Sequence, residues 1–168
     1  MLHNDQHIIE LLNAEKTKLF NYANYRLRDI KDVEDALQNV YLKVLSDSAR
    51  FKKVENKRAY IFRILCNECN DFIRRSAKAN AAVDINSISS IAIASLQPEN
   101  FEEEFALING LLNTLPPEQS ETIRLHLHAE MTFPEIADMM DIPLPTAKAR
   151  YRYGIEKLRT RLKTMNLI

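Results

Sequence analysis

Only two glycines, Gly110 and Gly154, occur in the 168 residues, and that scarcity constrains the fold more than any other feature. Glycine supplies the positive-φ turns and the Cβ-free approaches from which phosphate cradles are made. The glycine-rich loops of a Rossmann unit or a P-loop therefore cannot be built here, and nucleotide hydrolysis by those routes is excluded. Long glycine-free runs of Leu, Ala, Glu, Lys and Arg, with 46% apolar and 27% charged residues, favour packed helices over sheets. The expected class is all-α, in a length that suits one domain or two small ones.

Apolar periodicity divides the chain. Ile8, Ile9, Leu12, Leu19, Tyr22 and Ala23 form one stripe of a helix predicted from Gln6 to Leu27. A second helix is expected from an Asp32 N-cap to about Ser46, with Asp35 as an acid near its start. A polar, basic loop, Asp47 to Lys53, should separate it from a third helix over Lys57 to Ala77. Residues 79–100 lose basic charge, aromatics and helical period, so they read as a linker. The domains expected are thus 1–78 and 101–168, joined by 79–100. A helix from Glu99 to Thr114 and another from Glu118 to Ala129 flank Pro116-Pro117, which ends one and suits the first turn of the next.

The balanced total of 23 basic and 23 acidic side chains hides a strong asymmetry. Residues 1–78 hold fifteen Lys and Arg against eleven Asp and Glu, a net +4; residues 79–121 hold none against seven, a net −7. Residues 122–168 return to +3, and Leu144 to Lys163 carries seven basic residues against the single Glu156. Such sign asymmetry guides partner choice better than net charge.

The basic tail carries start signals in order. Thr132 caps a short helix, Pro134 lies in its first turn, and Glu135 completes a capping box. Asp141-Ile142 makes a turn, and Pro143 to Pro145 opens a longer helix with Ala147, Tyr151, Ile155, Leu158 and Leu162 inward. Lys148, Ala149, Arg152 and Glu156 stay outward, with Arg150 and Arg159 at the flanks. A short helix, a tight turn and a basic helix are a helix-turn-helix, whose second helix reads a DNA major groove while flanking cations meet phosphates.

Taken together, these segments resemble an extracytoplasmic-function sigma factor of the sigma-70 family. Asp32-Val33-Glu34-Asp35-Ala36-Leu37-Gln38-Asn39-Val40-Tyr41-Leu42-Lys43-Val44 is similar to the family's second conserved region, which docks on RNA polymerase; Asp35, Gln38 and Leu42 match its docking positions. Tyr60 to Arg75 resembles the family's aromatic-x-x-Arg-x-x-x-Asn helix, which engages the upstream −10 promoter element during melting and here supplies Tyr60, Arg63 and Asn67. Leu115-Pro116-Pro117-Glu118-Gln119 and the helix-turn-helix complete the fourth region, which recognises the −35 element through Thr146, Lys148, Ala149, Arg150, Arg152 and Arg159. A flipped base needs a stacking, hydrogen-bonding pocket. The Asp47–Asn56 loop is expected to provide it, with Phe51 as a wall and Arg50, Lys52 and Lys53 near the backbone. Departures from the family pattern include Tyr60 where Trp is frequent, and Pro145, Ala147 and Ala149 in place of Gly, Val and Ser; Ala149 suits a thymine methyl.

The implied function is promoter recognition and transcription initiation with core RNA polymerase and promoter DNA as partners, together with an anti-sigma factor, and without catalysis or cofactors. The alternatives are a decoy that binds an anti-sigma factor and a stand-alone repressor. Cys66 and Cys69 lack the second ligand pair of a structural zinc site and are expected as reduced thiols, so no metal residues are assigned. His3 and His7 lack a nearby nucleophile. With no apolar stretch approaching a membrane span and no signal-peptide pattern in MLHNDQHIIE, the expected location is the cytoplasm without membrane insertion.

Overall fold

Residues 1–97 contain neither glycine nor proline, so among the described residues 2–80 helices are bounded by capping chemistry and not by those breakers. The computed structural model describes residues 2–80 and 101–168; the expected linker lies outside the described residues from 81 onward. α1 (Leu2–Leu27) ends where Arg28 turns left-handed at φ 59°. α2 (Ile30–Ser46) then begins at Asp29, whose carboxylate accepts from the Lys31 amide at 2.8 Å. The cap is therefore Asp29, not Asp32, because Asp29 alone has extended backbone there and its side chain reaches the first turn. Val33, Ala36, Val40 and Val44 form the buried stripe of α2.

The expected basic loop is instead a short helix, α3 (Ser48–Lys53), folded around a buried Phe51. Burial of that one ring overrides the polar character of its neighbours. α4 (Lys57–Asn80) starts at Asn56, whose side-chain oxygen accepts from the Ala59 amide at 3.0 Å. It is the central element, packing on α1 and α2 with Phe62, Leu65 and Cys69 fully buried.

α5 (Phe101–Asn113) stops before Leu115-Pro116, and Pro117 opens α6 (Pro117–Leu127). The capping box that opens α7 (Phe133–Met140) forms as expected: Glu135 N donates to Thr132 Oγ1 at 3.3 Å and Thr132 N to Glu135 Oε2 at 2.8 Å. Asp141 at φ 54° ends α7, with the Ile142 amide closing on Ala137 O at 2.9 Å. α8 (Leu144–Thr164) follows, with Pro145 in its first turn. Gly154 lets α8 approach α6 closely, since a Cβ there would stand 2.7 Å from Ile123 Cδ1.

The halves share one interior. A single buried apolar cluster runs from Ile8 and Tyr22 through Phe62 to Leu125, Met131, Ile136 and Ala147, each large side chain contributing about 1.5–3 kcal/mol of burial. α4 lies against α7, and α1 touches α6. A smaller cluster of Leu112, Leu115 and Ile123 seats α5 and α8 on α6. Among the described residues, no helix is long and apolar enough to cross a membrane.

Candidate nucleic-acid and polymerase interface

On α2 the residues opposite the buried stripe point outward. Gln38 is exposed, Leu42 is 66% exposed, and Asp35 is half-buried. Spacings of three and four place all three on one face. An apolar side chain so open to water, on a helix whose other face is buried, makes this face a candidate contact surface. The helix is held from behind: Glu68 of α4, only 3% exposed, accepts from Asn39 Nδ2 at 2.9 Å and from Lys43 Nζ. Sequence reasoning missed Glu68, whose burial depends on α4 lying across α2.

The α3–α4 group is brought together only in part. Arg50, Lys52 and Lys53 are exposed, and Lys52 Nζ lies 3.7 Å from Asp5 Oδ1. Phe51 does not offer a face: it is 1% exposed, and its ring sits 5.8 Å from the half-buried Tyr60 ring. The expectation that Phe51 walls a base pocket is corrected, because its ring is needed in the core beneath α3. Tyr60 and Arg63 do line a cleft of about 760 Å³ with Val54, Lys57 and Asp138. Asn67 is exposed one turn beyond Arg63. Arg63 is engaged by the other half of the molecule, donating from Nε to Met139 O at 3.0 Å and from Nη2 to Asp138 O at 2.8 Å.

On α8, Lys148 and Arg152 are exposed one turn apart, with the Arg152 guanidinium 5.0 Å over the Tyr153 ring. Thr146, Ala149 and Arg150 are half-buried, and Arg159 is exposed farther along. The turn is set by an aromatic cluster. His126 stacks on Phe133 at 4.5 Å and meets the edge of Tyr151 at 4.9 Å, while its Nδ1 lies 2.9 Å from Met131 O. These contacts join α6, α7 and α8 and fix the angle at which α8 leaves the molecule.

Behind these surfaces lies a polar seam. Glu121 of α6 accepts from the Tyr22 hydroxyl, from Arg26 Nη1 at 3.0 Å and from the Cys66 thiol at 3.4 Å. Burial, reinforced by the Glu121 charge, raises the Tyr22 hydroxyl well above its ordinary pKa and the Cys66 thiol to about 11, so both stay protonated donors. Arg58 donates to Glu15 at 2.9 Å, to Glu135 at 2.8 Å, and to the carbonyls of Glu130 at 3.3 Å and Ala129. The seam was not legible beforehand: Glu121 and Arg124 sit three apart on α6 like solvated surface charges, yet both are buried.

Two protein-family models match the chain in order, Sigma-70 region 2 over residues 11–79 and Sigma-70, region 4 over residues 111–160. The chain is similar to the RNA polymerase sigma factor SigZ of Bacillus subtilis strain 168, with 25% identity over 146 residues, 86% of this chain and 81% of that protein. It is also similar to the ECF RNA polymerase sigma factor SigW of the same organism, 22% identical over 166 residues, 93% of this chain and 89% of that protein. Among solved structures, CnrH in complex with the cytosolic domain of CnrY shares the fold at TM-score 0.70 and 21% identity, covering 92% of this chain and 86% of that one. The sigma factor RpoE in complex with the anti-sigma factor NepR from Bartonella quintana gives 0.67 and 22%, covering 97% and 98%. With regions 2 and 4 in order over most of its length, and with the open face of α2 and the basic face of α8 falling inside them, the chain belongs to the sigma-70 family, in its extracytoplasmic-function branch.

Proposed function

We propose that this chain is a sigma factor that binds core RNA polymerase, directs it to a promoter and assists strand opening, acting in the cytoplasm with no catalysis of its own. The observation that carries the reading is the succession of region 2 and region 4, each bearing its own outward-facing surface. Domain roles follow that order: 1–78 for polymerase docking and the −10 element, 101–168 for the −35 element, and 79–100 as their link. Asp35, Gln38 and Leu42 form the polymerase contact. Tyr60, Arg63 and Asn67 face the melting strand, with Arg50, Lys52 and Lys53 beside the backbone. Thr146, Lys148, Ala149, Arg150, Arg152 and Arg159 meet duplex DNA from α8, Lys148 and Arg152 towards bases and the others nearer the backbone or a methyl group. An anti-sigma factor is the regulatory partner this reading supplies, as in the complex of RpoE with NepR.

The test is transcription from a promoter library by core polymerase with and without this protein. New start sites that depend on it support the proposal. A decoy yields none, and a repressor only weakens existing ones.

A further inference from the structure

Arg124 is 4% exposed, yet no carboxylate pairs with it among the described residues. Its Nη2 donates to the neutral amide oxygen of Asn113 at 2.9 Å, and its Nε is buried without a partner. Glu121, three residues before it on α6, is already engaged, its oxygens accepting from Tyr22, Arg26 and Cys66. With the Tyr22 hydroxyl and the Cys66 thiol protonated, the buried group sets two guanidinium charges against one carboxylate. Burial first, and then the charge of Arg26, lowers the Arg124 pKa from its ordinary value, while Glu121 opposes the shift. A buried charge left without a counter-charge is among the costliest groups a fold can hold.

Three further unpartnered atoms gather beside it. Asn109 and Asn113 stand one turn apart on α5, as Arg124 and His128 do across the end of α6. The two rows face each other. Asn113 meets Arg124 at one end, and at the other Phe105 stacks on Tyr25 at 4.6 Å, which in turn stacks on His128 at 3.5 Å. Asn109, 2% exposed, lies midway between Phe105 and Asn113, and its side-chain oxygen has no partner; neither have Arg26 Nε and His128 Nδ1. Buried polar groups are nearly always paired, so four unpaired ones at the meeting of three helices, one of them on an uncompensated cation, mark this place out.

We infer that the α5–α6 groove is a binding site for a small, singly charged anion, a halide or a short carboxylate, held by the Arg124 Nε–H and an amide N–H of Asn109. The guanidinium supplies the charge and a planar donor edge that such anions meet well. Asn109 needs only to turn its amide, which exchanges the oxygen for two N–H donors. Burial sets the size, since Arg124 and Asn109 have almost no surface to offer a larger molecule. The site lies apart from the outward faces of α2 and α8, so it is independent of the promoter reading.

The test is urea unfolding of the full chain at neutral pH and constant ionic strength, with potassium gluconate replaced stepwise by potassium chloride or potassium formate. Gluconate is too bulky for the groove and serves as the reference. A ligand at about a hundred times its dissociation constant raises the folded-to-unfolded ratio about a hundredfold. The expected result is a higher urea midpoint in chloride, in formate or in both, and none of that rise in Arg124→Met, which has no charge to neutralise. Chloride alone marks a halide site, formate alone a carboxylate site, and both a site that selects by charge and size. Equal wild-type midpoints in the three salts overturn the inference, leaving water as the only occupant, as does a rise that Arg124→Met shares. Should Arg124→Met fail to fold, the His128 ring resonances of the wild-type chain, identified by their loss in His128→Asn, decide instead. A shift that saturates with chloride or formate supports the site; no shift, or one that stays linear in salt, overturns it.

Discussion

Glu121 joins three side chains from α1 and α4 at a buried position, so its removal leaves Arg26 Nη1 and the Tyr22 hydroxyl without their acceptor. Glu121→Ala is expected to destabilise the chain by about 3 kcal/mol, measured by urea unfolding, because breaking a buried ion pair from one side costs more than the pair itself contributes. Leu42 is the opposite case. Being open to water, Leu42→Asp should leave the melting temperature within a degree or two of wild type, a range typical of surface changes. It should nonetheless abolish co-purification with core polymerase; retained binding would remove α2 from the proposed contact. Burial separates these two residues, and only the second was marked beforehand, by its match to the family's docking positions. A Glu on a short mixed helix announces nothing until a second half folds over it. Phe51 misled for the same reason: flanked by Arg50, Lys52 and Lys53, it reads as part of a loop, and only the three-dimensional core shows where its ring goes.

Helices were recovered from the sequence where capping and period agree. The Thr132 box, the Pro117 start and the Asp141 turn are local chemistry, settled within four residues, and each stands where expected. Boundaries moved where two caps compete, as Asp29 and Asp32 do before α2. On α8 the cations fall into two kinds whose contributions are separable. Lys148→Ala and Arg152→Ala should relax preference at particular base pairs of the upstream element, each good base contact being worth about 1–3 kcal/mol of discrimination. Arg150→Ala and Arg159→Ala should weaken all sequences alike and lower the salt slope by about 0.9 for each phosphate that is no longer neutralised. Holoenzyme binding to promoter variants over a salt series measures both. Uniform weakening for all four would make α8 an electrostatic anchor rather than a reader.

At the scale of the whole molecule the two halves are joined by groups with different responses to acid. His128 stacks on Tyr25 at 3.5 Å across the seam, and burial together with the nearby Arg124 charge lowers its pKa to about 4. Its Nδ1 is buried without a hydrogen-bond partner among the described residues, so an imidazolium there would carry an unsatisfied proton. The folded value lies below the unfolded one, near 6.5, so the unfolded chain binds the proton first and stability falls as pH drops from about 6.5 towards 4. By pH 5 the loss should be on the order of 1 kcal/mol after solvent screening, read as a lower urea midpoint. His128→Asn should flatten that slope; an unchanged slope would assign it to other groups. No stretch of sequence could have disclosed this joint, since Tyr25 and His128 stand in opposite halves of the chain and neither carries a local signal of the other.

The internal pairing of arginines at the seam also bears on how such a molecule meets bulk DNA. A genome presents on the order of a million or more non-specific sites for every promoter, and a basic protein with idle arginines would be dispersed among them. Here the net charge is zero, and Arg26 and Arg58 pair internally with the Glu121 and Glu135 carboxylates while Arg63 donates to helix-end carbonyls. The cations left open, those of α3 and α8 among them, are then what bulk DNA meets first.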